Sequence, residues 1–384
     1  MTDFHYIAFA QEVIFGHLAV IRMDEALRHV GLKRLMLCTS ASMATGEHAS
    51  SMHKALEGQL AVIFDHVRPR LEDDQLEEVV GLAELNDVDA VAGFGEASAI
   101  GMAKGAAFHL EKRKTGRAER APSPTSQPLI PSIAIPTSYA GSEMTSVFAV
   151  TRTHEAAARK VITYDPKIAP KLVVYDPDLT LDMAPSLTAS SGLRALAHCF
   201  EALYSITRHP LSAAAALSGI QKISGSLLTC FREGSNLEAR TNMLAGAHLA
   251  ATSFSTVAMG LHHALCHVLD ELDGVPHGIS DSLILPHVIR FNAAATGNEL
   301  VPAAEAMGLS SNGRPAAAVM EEMAQRVSDL AGEMQLPQRL RDVGIAQGDV
   351  RELAEAAFQV QTLHNNPRRI KDPGPIEALL NEAW

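Results

Sequence analysis

The character of the chain changes part-way along, and this change most constrains the fold. In the first half, short apolar runs that end in small polar residues alternate with amphipathic helical patterns. The runs are residues 32–40, 60–67, 88–95, 132–138 and 171–177. Short buried runs separated by helices are typical of parallel βαβ units. Ligands bind at the carboxyl ends of such strands, so the residues that follow each run are candidate contacts.

From about Pro185 the sequence becomes rich in Ala and Leu at helical spacing, and strand-like runs become scarce. A chain of 384 residues is also long for a single core. We therefore predict an α/β domain over residues 1–184 and an all-α domain over residues 185–384. The polar, basic and then proline-rich segment 111–128 is predicted to be an exposed loop, although its basic residues also suit a phosphate.

The charge balance argues for a small-molecule partner. Lys and Arg number 32 against 44 Asp and Glu, a net charge of −12, which disfavours nucleic acid and anionic membranes. No apolar run approaches the roughly 20 residues of a membrane span, and the N-terminus lacks the pattern of a signal peptide. The four cysteines form no CxxC pair. We therefore predict a soluble cytoplasmic protein with reduced thiols.

Two turns are candidate phosphate or ligand contacts. "GEASAIG" at 95–101 follows a predicted strand and opens a helix, so it would present helix N–H groups to a phosphate. Glu96 opposes that use, because its carboxylate would lie near the anion. The hydroxyls of Thr137 and Ser138 follow another strand. Both turns also have a plain structural interpretation, as a strand-to-helix turn and as helix caps.

Histidines are concentrated in "GLHHALCHVLDELDGVPHG", residues 260–278. On a helix, His263 and His267 would share one face, as would Arg194 and His198 further upstream. Three imidazoles suit zinc or ferrous iron, although a set of structural histidines is the alternative.

The order and spacing of several motifs together resemble one family. "AIPTSYAGSEMT", "SGLRALAHCFEALY", "MGLHHALCH", "VPHG", "LPHVIRFN" and "NNPRRI" run collinearly along the chain. In this respect the chain resembles the iron-containing alcohol dehydrogenase superfamily, most closely its maleylacetate reductase branch. The resemblance implies a Rossmann-like nucleotide-binding domain followed by a helical domain, a dehydroquinate synthase-like fold with cofactor and substrate between the two.

The resemblance also implies hydride transfer from NADH or NADPH, with Tyr139 lining the substrate pocket. The choice between the two cofactors stays open, because no Asp or Glu follows the first strand to reject a 2′-phosphate. The predicted cofactor contacts are Thr39, Gly95, Ala97, Ser98, Thr137, Ser138 and Lys160.

Metal-dependent relatives hold Fe²⁺ or Zn²⁺ through an aspartate and three histidines. The resemblance places these positions on Arg194, His198, His263 and His277. A guanidinium has no lone pair to donate, and each unit of like charge at about 4 Å costs about 4 kcal/mol at an effective dielectric near 20. We therefore predict a metal-free site.

In that site Arg194 would bind a substrate carboxylate through two hydrogen bonds or stabilise an oxyanion. His263 or His198 would supply the proton. The predicted catalytic group also includes Tyr139 and three further histidines, which are His262, His267 and His277.

Departures from the family pattern leave three functions open. Glu96 and Ala97 stand in a turn that relatives build from glycine, and Ala264 replaces a lysine that maleylacetate reductases usually carry. The first function is reduction of a small oxo-carboxylate in aromatic ring-cleavage catabolism. The second is a cofactor-free, non-redox reaction such as hydrolysis or tautomerisation of an unsaturated carboxylate. The third is a non-catalytic partner subunit. Family members are often dimers, so a homodimer is expected.

Overall fold

A computed structural model describes residues 3–116, 123, 125–153, 159–272, 275, 278–296 and 299–384. The chain separates into two compact units. One is Ile7–Asp182, and the other is Met183–Trp384 together with the N-terminal segment that ends at Tyr6. The division lies two residues before the predicted end of the first domain.

The first unit contains a parallel sheet of six strands. The strands are β1 (Glu12–Phe15), β2 (Leu35–Thr39), β3 (Leu60–Phe64), β4 (Ala90–Gly95), β5 (Ser132–Pro136) and β8 (Leu172–Tyr175). Their order across the sheet is β1-β8-β5-β4-β2-β3, and each neighbouring pair is parallel. This sheet confirms the predicted Rossmann-like class.

A separate antiparallel pair consists of β6 (Val147–Arg152) and β7 (Arg159–Tyr164). The helices of the unit are α1 (Met23–His29), α2 (Glu47–Leu56), α3 (Asp73–Leu85) and α4 (Ala97–Thr115). The central strands β2 and β4 are buried along their whole length, because each face of the sheet carries an apolar cluster. Burial on both faces explains their continuous apolar runs.

Helix α4 is longer than the sequence suggested. It ends at Thr115, and Gly116 caps it with a left-handed φ of 57°, so residues 111–115 are helical and the prediction of a loop from residue 111 is wrong. The Glu111 carboxylate accepts a hydrogen bond from the Leu129 amide at 2.7 Å and pairs with Lys167, which ties this last turn to the unit. Residues 117–122 and 124 of the predicted loop lie outside the described residues.

The regular elements of the second unit are all helices among its described residues, as predicted. Its helices are α5 (Pro185–Tyr204), α6 (Pro210–Arg232), α7 (Leu237–Phe254), α8 (Leu261–Leu269), α9 (Ser280–Thr296), α10 (Val301–Ala306), α11 (Ala316–Glu333), α12 (Val350–Phe358) and α13 (Gly374–Ala383). Pro185 stands in the first turn of α5, where the absence of its N–H costs nothing. Among the described residues, no helix is both long and apolar enough to cross a bilayer.

Candidate active site

Three predicted cofactor contacts lie together at the carboxyl edge of the parallel sheet. Thr39 ends β2, Gly95 ends β4, and Thr137 follows β5, and these strands are neighbours. The Thr39 hydroxyl donates to the main-chain oxygen of Phe94 at 2.8 Å. The Thr137 amide donates to the oxygen of Gly95 at 3.0 Å. Gly95 has a φ of 135°, a backbone conformation that side chains disfavour.

Helix α4 begins at this same edge. Ala97 and Ser98 are its first residues, and Glu96 is the N-cap without a side-chain capping bond. The first N–H groups of a helix have no partner within the helix, so they suit an anion. Partial burial raises the pKa of Glu96 above its usual value. Ser138 is buried next to Thr137, on the segment that follows β5.

Two predicted contacts are placed differently. Tyr139 is fully buried in the first unit, and its predicted place in a substrate pocket stays a prediction. Lys160 belongs to β7, where it is exposed and stands opposite Thr151 in the antiparallel pair.

Helix α5 carries three polar side chains on one face of an otherwise apolar segment. Arg194, His198 and Glu201 follow the spacing that aligns residues along a helix. Helix α8 supplies His262 and His263, and α9 supplies Asp281 in its first turn. All of these residues belong to the second unit.

Arg194 is paired with two carboxylates of the chain itself. Its Nε donates to Asp281 at 2.7 Å and an Nη donates to Asp270 at 3.0 Å. Burial works against the charged guanidinium, but the charges of Asp281 and Asp270 outweigh burial and raise the pKa of Arg194. Internal carboxylates therefore take two of the five N–H donors of the guanidinium, and the predicted contact with a substrate carboxylate stays a prediction.

His198 is a buried, neutral imidazole. Its ring lies against the ring of Phe254, with 4.0 Å between the centroids. Burial lowers its pKa to about 3, and the opposing charge of Asp281 does not reverse this. Burial also lowers the pKa of His263, although Glu201 and Asp281 oppose the shift.

His262 lies between α5 and α9. Its Nδ1 is 3.9 Å from Oε2 of Glu201, and its Nε2 is 3.4 Å from the main-chain oxygen of Asp281. Oε1 of Glu201 accepts hydrogen bonds from the Tyr204 hydroxyl at 2.8 Å and the Gly260 amide at 3.0 Å.

His267 lies apart from this group. His267 is 3.5 Å from Glu271, a local pair on the same stretch of chain. The prediction for His277 lies outside the described residues.

Sequence reasoning missed the acidic residues of the group. Asp270 follows α8, Asp281 opens α9, and Glu201 lies within α5. The available signal was a charged residue inside an otherwise apolar segment, as in "CFEALY" and "ISDSLIL". Such residues are rarely buried unless they are paired.

Comparisons with known proteins identify the family. The model described as "Iron-containing alcohol dehydrogenase" matches residues 10–177. The model described as "Fe-containing alcohol dehydrogenase family, C-terminal" matches residues 188–384. The chain belongs to the iron-containing alcohol dehydrogenase family. Membership places it among the oxidoreductases, and within the superfamily it falls in the maleylacetate reductase branch.

Individual relatives agree with this assignment. The maleylacetate reductase of Pseudomonas knackmussii is 30% identical over 372 residues, which is 97% of this chain and 95% of the relative. The 1,3-propanediol dehydrogenase of Klebsiella pneumoniae is 28% identical over 96% of each chain. The crystal structure of maleylacetate reductase from Agrobacterium tumefaciens superposes with a TM-score of 0.85 at 27% identity, covering 100% of this chain and 99% of that one.

The family's metal raises the question of whether these residues fit a divalent ion. The resemblance matches residue 194 to the aspartate ligand of metal-dependent relatives, and in this chain Arg194 donates hydrogen bonds there and offers no lone pair. A second set, His262, Cys266 and Asp281, offers ligand atoms within 4.8 Å of one another. There the Asp281 carboxylate already accepts a hydrogen bond from Arg194 at 2.7 Å, and the permanent positive charge of the guanidinium repels a second cation. Neither donor set fits a dication.

Proposed function

We propose that the protein is a metal-independent, NAD(P)H-dependent reductase of a small oxo-carboxylate, similar in reaction to the maleylacetate reductases. The observation that carries the proposal is the pairing of Arg194 with Asp270 and Asp281 one helical turn from His198. A permanent cation held at this position takes the place of a metal ligand. The 30% identity to maleylacetate reductases over nearly the whole chain supports the reaction class.

The dinucleotide would bind at the carboxyl edge of β2, β4 and β5. When bound, NAD(P)H supplies the hydride. The first turn of α4 would receive the pyrophosphate on its N–H groups, and Thr39 and Thr137 stand on either side of Gly95 along that edge. No acidic side chain follows β2 directly, so the proposal leaves both NADH and NADPH as donors.

We assign proton donation to His263. Burial lowers the pKa of His263, with His262 and Arg194 adding to the shift, and the charges of Glu201 and Asp281 oppose it without reversing it. The protonated imidazole is therefore a stronger acid than a free one and gives up its proton readily. His198 is held neutral, so its role would be a hydrogen bond to the substrate through an imidazole N–H. The hydride adds to one atom of the double bond that is reduced, and the proton passes from His263 to the other atom. Solvent then reprotonates the imidazole.

The direct test titrates the purified protein with NADH and NADPH and follows nicotinamide fluorescence. We expect saturable binding in the micromolar range for at least one cofactor, and turnover of a maleylacetate-like oxo acid that survives exhaustive treatment with a chelator. Elemental analysis accompanies the assay. Stoichiometric iron or zinc in the unchelated protein, with activity lost on its removal, would refute metal independence.

A non-redox reaction is the second candidate, and Glu96 favours it. An N-cap carboxylate stands where a pyrophosphate would bind, and its charge opposes the anion. If neither cofactor binds at millimolar concentration while His263→Ala abolishes turnover of an unsaturated carboxylate, this candidate replaces the first. A third outcome, no turnover and co-purification with a related chain, would indicate a partner subunit.

We further propose that the enzyme is a cytoplasmic homodimer that binds a small carboxylate and neither nucleic acid nor membrane. The net charge of −12 supports the last two exclusions. Light scattering coupled to size-exclusion chromatography measures the assembly, and a mass near 82 kDa is expected from two chains of 41.0 kDa, since 2 × 41.0 is 82.

A further inference from the structure

One ion-paired group joins three helices of the second unit. Arg194 lies on α5, Asp270 caps the end of α8, and Asp281 lies in the first turn of α9. The side chain of Arg194 is 18% exposed, that of Asp270 12% and that of Asp281 4%. We call these three residues the arginine clamp. The Ser280 hydroxyl also donates to Asp270, which joins the end of α8 directly to the start of α9.

A second group of polar side chains lies between the same three helices, alongside the arginine clamp. Glu201 of α5 faces Nδ1 of His262 on α8, and Nε2 of His262 faces the main-chain oxygen of Asp281 on α9. Arg194 and Glu201 stand one turn before and one turn after His198 on the same face of α5. His198 is therefore flanked by two charged residues, and each of them is held by neighbouring helices.

A divalent ion would perform the same mechanical task. Bound at the positions of residues 194, 198 and 263, it would cross-link α5 to α8. We propose that the arginine clamp replaces the divalent ion as the internal cross-link that positions His198 and His263, with Asp270 and Asp281 as positioning residues. The inference deepens the proposed metal independence, and it does not depend on which substrate is reduced.

The charges make the exchange testable. Arginine contributes one positive charge at position 194. An aspartate with one Zn²⁺ also contributes a net charge of one, because −1 + 2 = +1. The variant Arg194→Asp thus loses the cross-link and places three carboxylates together, and Zn²⁺ restores both the charge and a link to the imidazoles. The variant Arg194→Gln loses the charge and offers no strong ligand, so Zn²⁺ has nothing to restore.

The experiment measures the melting temperature of full-length variants with EDTA and with added Zn²⁺. We expect Arg194→Gln to lower Tm by about 10 °C in both conditions, because it leaves two buried carboxylates unpaired. Arg194→Asp should melt lower still with EDTA and recover by at least about 5 °C with Zn²⁺. The wild-type Tm should be the same in both conditions.

The matched control breaks a more exposed arginine pair on α9, the helix that also carries Asp281. Arg290 of α9 makes a bidentate contact with Glu321, with distances of 2.8 to 3.0 Å. Arg290→Gln should change Tm by no more than about 2 °C, because exposed ion pairs contribute little, and Zn²⁺ should have no effect on it.

Neutral variants keep the proposal testable if the single Arg194 variants do not fold. In the triple variant Arg194→Gln, Asp270→Asn, Asp281→Asn, no charge is left unpaired, so it should recover most of the Tm lost by Arg194→Gln. Asp270→Asn alone keeps the Arg194–Asp281 pair and should cost less than Arg194→Gln. Asp270→Asn should also lower kcat and leave the dissociation constant for the cofactor unchanged, because it acts on the position of the histidines.

Three results would overturn the clamp. They are a Tm of Arg194→Gln within about 2 °C of the wild type, Zn²⁺ raising the Tm of the wild type, or no Zn²⁺ effect on a folded Arg194→Asp. None of these concerns turnover. Failure of the proposed function would instead appear as absent cofactor binding by the wild type, with the melting behaviour unchanged.

Discussion

Glu96 is the residue on which cofactor binding most depends. It is the N-cap of α4, beside the glycine that ends β4, and its carboxylate makes no capping hydrogen bond to the helix. The same turn that would attract a phosphate through its N–H groups therefore carries a negative charge. The balance between attraction by the N–H groups and repulsion by the carboxylate depends on the distance from the carboxylate to the phosphate and on how far solvent screens its charge.

We predict that Glu96→Gln tightens binding of NADH or NADPH by about three- to tenfold at pH 7.5, since one repulsive charge is removed. Nicotinamide fluorescence measures the dissociation constant. The exposed Glu57 of the same unit provides the control, because Glu57→Gln also removes a carboxylate. Weaker binding by Glu96→Gln would mean that the carboxylate contacts the cofactor favourably, for example through a ribose hydroxyl.

The pH dependence of that binding follows from the same carboxylate. The pKa of Glu96 is raised by burial, so the group begins to take up a proton sooner as the pH falls. Protonation removes the charge that opposes the pyrophosphate. We therefore expect wild-type affinity to rise as the pH is lowered from 7.5 towards that pKa, and the affinity of Glu96→Gln to stay flat. Parallel pH profiles for the two proteins would contradict the assignment.

At the scale of elements, the packing of α4 on β4 is controlled by one glycine. A Cβ on Gly93 would lie 2.5 Å from the main-chain oxygen of Ala99 and 2.7 Å from the Cα of Ile100. Both neighbours are backbone atoms, so only a movement of the helix relieves the clash.

We predict that Gly93→Ala costs about 3 kcal/mol or more of unfolding free energy and weakens cofactor binding, because α4 is displaced from the sheet edge. Gly81→Ala on α3 is the matched control, since its Cβ would meet nothing within 4 Å. That control should stabilise the unit by about 0.5–1 kcal/mol through helix propensity. Chemical denaturation measures both, and equal effects would refute the packing argument.

The start of α8 is held by a buried pair of amides. Asn292 and Asn366 exchange two hydrogen bonds, at 3.0 and 2.8 Å. Oδ1 of Asn366 also lies 3.4 Å from the Leu261 amide, and Glu201 accepts from the amide of Gly260. These contacts explain why the terminal "NNPRRI" motif belongs with the histidines although it lies about a hundred residues away.

We expect Asn366→Ala to lose about 2–3 kcal/mol of stability, because the buried Asn292 amide keeps no equivalent partner. The variant should also lower kcat, since His262 and His263 lie in the first turn of the helix that it releases. Asn381→Ala on α13 serves as the control, because its side chain makes only a local hydrogen bond. If Asn366→Ala lost stability without any loss of kcat, the amide pair would be structural only.

At the scale of the whole molecule, buried neutral imidazoles make the second unit sensitive to acid. Burial lowers the pKa of His287 to about 4, with Arg290 and Arg339 adding to the effect. Its Nδ1 is buried without a hydrogen-bond partner among the described residues. In the unfolded chain this histidine takes up a proton near pH 6.5. The neutral imidazole of folded His287 therefore makes its full contribution to stability above that pH, and the contribution is lost as the pH falls towards 4.

The free energy of unfolding of the wild type should fall between pH 7.5 and pH 5. We predict that it falls by about 1–2 kcal/mol less for His287→Gln. Denaturant unfolding at the two pH values measures the difference. His364→Gln, which changes an exposed histidine, should behave as the wild type. A wild type and His287 variant that lose equal stability would show that this imidazole is already protonated in the folded state.

Much of the fold could be predicted from local pattern. Short apolar runs predicted β2, β3, β4, β5 and β8, and the Ala- and Leu-rich second half predicted the helical unit. Local pattern missed β1 and the antiparallel pair β6–β7. Short strands with exposed residues give only a weak apolar pattern. In the antiparallel pair, Ile162 and Tyr164 face outward.

The sequence by itself determined the order of elements, the family, and the positions at which chemistry could occur, because hydrophobic periodicity and motif spacing are local properties of the chain. Only the tertiary structure decided what Arg194 does. Its two partners lie 76 and 87 residues further along the chain, and no periodicity links residues so far apart. Folding brings their charges within hydrogen-bonding distance, and in a poorly solvated interior that proximity decides whether a cation meets a substrate or an internal carboxylate.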